Sequence, residues 1–305
     1  MTTTAYAGVY PIAPVPFNED ETLDLDGMKR VLDCMIDQGV DGICVLANYS
    51  EQFLLTDEER DILLKLSLEH VAGRVPVIAT CSHYSTAIVV QRVKRAKNLG
   101  AAMTMLMPPY HGALLKGSEQ QIFDQFSRVS DVGLPIMVQD APLSGVALSV
   151  SFLGRLANEI PNVTYLKIET SQTADKLAAV IESTQDSILG PFDGEESITL
   201  LADLDAGATG TMPSASIPDL IKGVIGAYAS GNRLTAIERY NNILPFINYE
   251  NRQCGLRACK TVMMEGGVIK SDTVRHPLDP LPLRSRQGLL EIAHKLDPVA
   301  IRWGK

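Results

Sequence analysis

The chain has 305 residues, of which 46% are hydrophobic and 21% charged, and it carries a formal net charge of −9. That balance is one of a soluble globular protein with enough length for one large α/β barrel or two smaller domains. The acidity argues against a general polyanion-binding surface, and no basic cluster with interleaved aromatics occurs, so no nucleic-acid partner is expected.

Residues 9–15 are apolar but interrupted by Pro11 and Pro14. Proline removes a ladder donor, so this stretch predicts a short first strand with an irregular end. A helix is predicted over 25–38, with Asp24 as its N-cap, Gly39 as its stop and Leu32, Met35 and Ile36 on its apolar face. The unbroken apolar run 42–47 suits a parallel strand buried on both faces, and 48–52 form the loop after it. Thr56 followed three residues later by Glu59 has capping-box spacing and opens a helix to about residue 71.

The third strand is predicted at 75–80 with a polar loop at 81–84, and a helix at 85–99 stops at Gly100. The fourth strand covers 103–107, with Tyr110 and His111 just beyond it and a helix at 118–132. The fifth strand is 135–140, and a helix at 150–160 leads to the sixth strand at 164–169. A helix at 174–182 precedes a seventh strand at 187–190, and 191–196 are expected to be the loop after it. A helix then runs to about 205, and the eighth strand, 208–212, ends at Pro213. Beyond Asp219 the pattern is helical only, over 219–229, 234–247, 255–264 and 285–296.

Eight strands in strict alternation with helices imply a parallel sheet, and that count closes an α/β fold of the (β/α)8 TIM-barrel class with a C-terminal helical extension. A doubly wound open sheet is the alternative, but no GxGxxG follows the first strand and no Walker-type loop occurs. Gly39, Gly100, Gly133 and Gly207 fit helix stops on the barrel's lower face. The expected division is a barrel core over 1–217, then the last barrel helix and the helical extension over 218–305.

The five cysteines, Cys34, Cys44, Cys81, Cys254 and Cys259, are odd in number and include no CxxC, so neither a disulfide framework nor a zinc site is expected. Cys34 and Cys44 read as core thiols; Cys81 falls at a strand end, where a reactive thiol is the alternative. The N-terminus lacks a basic start and an apolar h-region, and no apolar run is long enough for a bilayer. The expected location is cytoplasmic, with no membrane partner.

The sixth strand carries the chemistry. Strand side chains alternate, so Lys167 and Glu169 share one face, about 7 Å apart along the strand, while Leu166 and Ile168 take the other. Burying an amine beside a carboxylate is costly. The pair is either a structural ion pair or a Schiff-base lysine with its acid/base carboxylate. Barrel active sites sit at the C-terminal strand ends, and polar residues gather there: Asn48, Tyr49, Ser50 and Glu51; Ser82 and His83; Tyr110 and His111; Gln139 and Asp140; Asp193 and Glu195. No metal-ligand spacing appears among them, so no metal is expected. Glu195 and Glu196 are expected to favour the N-terminus of the next helix through its dipole.

These motifs resemble, over nearly the whole chain, the pyruvate-type class I aldolase and dehydratase superfamily that includes N-acetylneuraminate lyase and dihydrodipicolinate synthase. Ala47-Asn48-Tyr49-Ser50-Glu51 looks like its GxxGE carboxylate-binding loop with both glycines replaced. Leu166-Lys167 looks like its Schiff-base strand, and Tyr110 like the tyrosine of its PYY motif. Its YNxP tyrosine, a proton relay, falls on Gln139 in Gln139-Asp140-Ala141-Pro142, and glutamine is neither acid nor base. With 190–196 and 247–255, these departures resemble a dehydratase branch.

The resemblance implies a 2-keto acid substrate, a covalent Schiff base at Lys167 with no separate cofactor, and a homotetramer. It further implies Asn48, Tyr49, Ser50, Gln139 and Tyr110 around the substrate, while Glu169, on the same strand face as Lys167, is expected as acid/base and His83, at a strand end, as a further substrate contact. Dehydration needs a proton taken from C3, which Glu169 can accept. Cleavage to pyruvate and an aldehyde, the aldolase alternative, needs the C4 hydroxyl proton, normally relayed by the tyrosine missing here. A non-catalytic barrel that senses a keto acid is a further alternative.

Overall fold

The computed structural model describes residues 5–111, 114–141 and 144–305, so Met1 to Thr4 and Pro142 lie outside the described residues. In chain order the strands are β1 (Gly8–Val9), β2 (Ile43–Val45), β3 (Val77–Thr80), β4 (Met103–Leu106), β5 (Tyr110–His111), β6 (Leu115–Lys116), β7 (Ile136–Asp140), β8 (Val163–Ile168), β9 (Gly190–Asp193) and β10 (Gly210–Thr211). The helices are α1 (Leu25–Asp37), α2 (Asp57–Val71), α3 (Thr86–Leu99), α4 (Glu119–Ser130), α5 (Val150–Glu159), α6 (Thr173–Thr184), α7 (Leu200–Asp205), α8 (Pro218–Ala229), α9 (Arg233–Tyr249), α10 (Ala258–Glu265) and α11 (Leu283–Leu296). They fall into two compact units interleaved along the chain.

One unit comprises Met1–Ala7, Val77–Glu195 and Thr199–Met212. Its parallel strands run β3-β4-β7-β8-β9-β10, and consecutive strands are neighbours apart from the short antiparallel hairpin β5–β6. Right-handed strand–helix–strand crossovers give such an order. The strands are nearly fully buried, with Met103, Met105, Ile136, Val138, Leu166 and Phe192 at 1% exposure or less, as a parallel sheet covered on both faces requires.

The other unit comprises Gly8–Pro76, Glu196–Ile198 and Pro213–Lys305. Ile12 bridges in parallel to Cys44 and to Ser214, so the stretch after β1 still acts as a strand despite its prolines. The helix signals hold in both units. Asp24 accepts the Gly27 N–H at 2.8 Å, and Thr56 and Glu59 form the reciprocal box at 3.2 and 3.0 Å. The four glycine stops, Gly39, Gly100, Gly133 and Gly207, have φ of 76°, 94°, 74° and 101°, values that disfavour any residue with a Cβ.

Three expectations are corrected. The seventh strand begins where it was expected to end, at Gly190, and runs through Pro191, Phe192 and Asp193. Pro191 lacks an N–H, but its carbonyl accepts from Thr209 at 2.9 Å and the ladder continues past it. Glu195 and Glu196 do not open the next helix: α7 starts at Leu200 with Thr199 as N-cap, and Glu196 is left-handed at φ 56°. Between α9 and α10 the chain winds as a π-helix, Glu250–Cys254, where only a gap between helices was expected. All five cysteines are free and buried, Cys81 among them.

Candidate active site

The parallel register of β7, β8 and β9 sets Gln139 beside Lys167 and Lys167 beside Phe192. Partnered residues in adjacent parallel strands project to the same face, so Gln139 and Lys167 emerge together. Lys167 Nζ lies 2.5 Å from Glu169 Oε1, with side-chain exposures of 3% and 13%. The Gln139 amide donates to the same oxygen at 2.7 Å. The Glu169 N–H donates to Asp140 O at 3.0 Å, which extends the β7–β8 ladder past the strand end and orients the carboxylate. Lys167, Glu169 and Gln139 are thus brought together as a connected group at the end of the β7–β8 ladder.

The neighbouring strand end is shaped around them. Gly194 donates its N–H to Ile168 O at 2.9 Å. A Cβ at Gly194 would lie 2.5 Å from Glu169 Cγ and 2.8 Å from Lys167 Cγ, so only glycine leaves room for both side chains. Asp193 is fully buried and accepts from Glu195 N at 2.8 Å and from the Thr211 hydroxyl at 2.6 Å, which ties β9 to β10. Asp140 is engaged elsewhere: it accepts from Lys176 Nζ at 2.5 Å, and Lys176 also donates to Leu148 O at 2.7 Å. Lys176 is therefore a structural cation anchored to the start of α5.

His83 accepts the Ser85 N–H at Nδ1, 2.9 Å away, in the turn before α3. Its ring stacks on Tyr84 at 4.1 Å, and Tyr84 meets His111 edge-on at 4.8 Å. Tyr110 sits in β5, opposite Lys116 of β6.

The Asn48–Ser50 turn belongs to the other unit. It is a single 3-10 turn followed directly by a second, Gln52–Leu54. Left-handed backbone falls at Leu46, φ 60°, and Glu51, φ 54°, whereas Ala47 is extended with φ −92°. Neither Ala47 nor Ser50 needs positive φ, which is why residues other than glycine are accommodated there. The buried Ser50 hydroxyl donates to Ala13 O at 2.7 Å and accepts Ala47 N–H at 3.2 Å, so it shapes the turn. The Tyr49 hydroxyl donates to Asn251 Oδ1 at 2.9 Å, and Asn251 is held in turn by Ile247 O at 2.9 Å.

Two buried carboxylates of this unit have partners that the sequence did not pair with them. Glu51 is fully buried against Lys260, and burial pushes the Glu51 carboxyl up and the Lys260 ammonium down. Glu250 of the π-helix accepts from Ser214 at 2.8 Å and Ser216 at 2.6 Å. Glu51 ends the loop motif after the second strand and Glu250 lies in the 247–255 stretch, but Lys260, Ser214 and Ser216 stand in no motif, and each pairing spans a long stretch of chain. No group of three or more His, Cys, Asp or Glu able to hold a metal occurs among the described residues.

The model of the dihydrodipicolinate synthetase family matches residues 5–296. The chain belongs to that family. It is 53% identical over 302 residues to the L-2-keto-3-deoxyarabonate dehydratase of Azospirillum brasilense, covering 99% of this chain and 98% of that protein. It is 30% identical over 278 residues to 4-hydroxy-tetrahydrodipicolinate synthase 1 of Halalkalibacterium halodurans, covering 90% and 92%. A proposed dihydrodipicolinate synthetase structure from Pseudomonas aeruginosa matches with TM-score 0.90 and 26% identity over 95% of this chain and 99% of that one. The dihydrodipicolinate synthase of Aquifex aeolicus shares the fold at TM-score 0.88 and 23% identity, over 96% and 98%. The fold class is the (β/α)8 barrel, as the strand–helix alternation predicted. No described helix is long and apolar enough to cross a membrane.

Proposed function

We propose that the chain is a Schiff-base hydro-lyase that removes water from L-2-keto-3-deoxyarabonate to give α-ketoglutarate semialdehyde. The observation that carries this reading is the buried Lys167–Glu169 pair with Gln139 on the same carboxylate oxygen. The 53% identity to a dehydratase of that name supports it across the whole chain.

The nucleophile is the neutral amine, and the Lys167–Glu169 contact is a path by which its proton leaves. The nitrogen adds to the C2 ketone and water departs to give an iminium. Its positive charge acidifies C3, from which Glu169 takes a proton to form the enamine. The enamine expels the C4 hydroxyl as it receives a proton, leaving a conjugated iminium. Loss of a C5 proton, reprotonation at C3 and C4, and ketonisation at C5 give the aldehyde, and hydrolysis returns Lys167. Substrate and product differ by one water, so the balance calls for no oxidant and no separate cofactor.

Gln139 favours elimination over cleavage. Its amide donates to Glu169 and holds it, but it cannot accept the C4 hydroxyl proton that aldol cleavage releases. The family resemblance assigns the substrate carboxylate to the Asn48–Ser50 turn, where N–H groups and the Asn48 side chain would receive it, with the Tyr49 hydroxyl joining them on releasing Asn251, and it puts Tyr110 beside the substrate, where the strand-end position of His83 would add a further contact. The same resemblance supports a homotetramer.

Borohydride reduction with pyruvate, followed by peptide mass spectrometry, should mark Lys167. Lys167→Ala should abolish both adduct and turnover, and the product should be the dicarbonyl acid. Label on Lys176 or Lys260 alone, near wild-type turnover by Lys167→Ala, or release of pyruvate and an aldehyde would each overturn the reading.

A further inference from the structure

The turn Asn48–Ser50 is held from behind by a charged network whose inner pair, Glu51 and Lys260, has no access to solvent. Glu51, which joins the two 3-10 turns in left-handed backbone, sends its carboxylate to Lys260 of α10, and both side chains are 0% exposed. Lys260 also donates to Thr273 O at 2.6 Å and to Val15 O at 3.3 Å. Its ammonium lies 4.6 Å from the centre of the Phe17 ring, and the Arg275 guanidinium lies 4.5 Å from the same ring. Arg275 donates its backbone N–H to Glu51 Oε2 at 3.4 Å, its Nη1 to Leu54 O at 2.9 Å, and two further bonds to Glu59 at 2.5 and 2.6 Å. The charges alternate from Lys260 through Glu51 and Arg275 to Glu59, around one aromatic ring.

Such a network is a poor device for stability alone. Burying two ions takes away their hydration, and an apolar pair of similar volume often serves the fold as well or better. Burial acts against both charges, raising the Glu51 carboxyl and lowering the Lys260 ammonium. What the network does supply is direction. A left-handed non-glycine residue between two tight turns is disfavoured backbone that persists only when its surroundings hold it. Lys260 holds it from the Glu51 side chain, while tying the turn to the segments carrying Val15 and Thr273. Neither group is accessible, so neither can touch substrate.

We propose that Glu51 and Lys260 are a positioning pair that locks the Asn48–Ser50 turn in the geometry that receives the substrate's carboxylate, a role that rests on the function proposed above. Binding is then affected before chemistry, because Lys167 and Glu169 lie outside the network.

The test uses Glu51→Gln/Lys260→Met, which removes both charges at nearly constant volume, with Glu59→Gln as a control that weakens the same network away from the turn. The double variant should raise KM for the keto acid at least tenfold, with kcat within threefold. The pyruvate concentration needed for half-maximal borohydride labelling should rise in parallel, while saturating pyruvate still labels Lys167 fully. Glu59→Gln should lower Tm and leave KM within twofold. Should the double variant not fold, Glu51→Asp, one methylene shorter, should show a smaller KM rise of the same kind. A lowered Tm with unchanged KM and labelling, in whichever of these variants folds, makes the pair merely structural and overturns the proposal. Absence of a Lys167 adduct in the wild-type protein would instead sink the function on which it rests.

Discussion

At the scale of single residues, the two oxygens of Glu169 have different environments. Oε1 takes both the Lys167 ammonium at 2.5 Å and the Gln139 amide at 2.7 Å. Two donors on one oxygen fix the carboxylate plane, and under the proposed function Oε2 would be the atom that takes the C3 proton. Glu169→Gln keeps the shape but removes the base. Borohydride labelling of Lys167 by pyruvate should persist, while solvent exchange of the pyruvate methyl protons on the enzyme should fall by roughly 100-fold or more, the usual worth of a positioned base. Exchange at the wild-type rate would assign the base elsewhere. The Lys167–Glu169 pair was legible in the sequence because strand alternation is strict. The Glu51–Lys260 pair was not, because 209 positions separate two residues that no local periodicity connects.

At the scale of elements, the helices were legible from their ends and the strands only from their middles. Asp24, Thr56 and the glycine stops mark boundaries through single hydrogen bonds or single dihedrals. A parallel strand has no such terminus. Ser187 to Leu189 look strand-like, yet the ladder is carried by Gly190 to Asp193, where Pro191 reads locally as a break. The π-helix at Glu250–Cys254 has no composition signal, because one extra residue per turn is settled by what the side chains reach.

The same β9 displacement puts Gly194 against β8, and this gives a test of the strand-end packing. Gly194 is not left-handed, so alanine there meets a steric conflict rather than a backbone one: its Cβ would lie 2.5 Å from Glu169 Cγ and 2.9 Å from Ile168 O. Gly194→Ala should lower stability by about 1–3 kcal/mol, the range for overpacking. It should also lower kcat at least tenfold, because relief requires moving Glu169 or Lys167. Denaturant melts and steady-state kinetics check both; unchanged kcat would mean that the turn, not the Lys167–Glu169 pair, gives way.

At the scale of the whole molecule, two buried carboxyls make stability depend on pH in a definite direction. Burial raises Asp203 from 3.8 to about 7, with the charge of Asp193 adding to the effect. Burial likewise raises Glu250 from 4.5 to about 7, against the opposing hydroxyl bonds of Ser216 and Ser214. A group whose folded pKa lies above its unfolded value binds its proton more tightly when folded. Its contribution is complete below the unfolded pKa and is lost as pH rises through the folded one. For Glu250, 4.5 to about 7 corresponds to roughly 3 kcal/mol at 1.4 kcal/mol per tenfold change in proton affinity. Glu59, held below its usual range by Arg275, acts oppositely and loses its contribution as the solution becomes acidic. Stability should therefore peak at about pH 5 and decline towards pH 8. Glu250→Gln keeps an oxygen for both serine hydroxyls and has no proton to lose. It should flatten the decline, with a larger gain in Tm over the wild type at pH 8 than at pH 5, and Asp203, Glu51 and Asp219, all raised by burial, should account for the slope that remains. A wild-type protein equally stable at both pH values, or a gain from Glu250→Gln that does not change with pH, would mean that Glu250 is ionised in the folded protein at neutral pH.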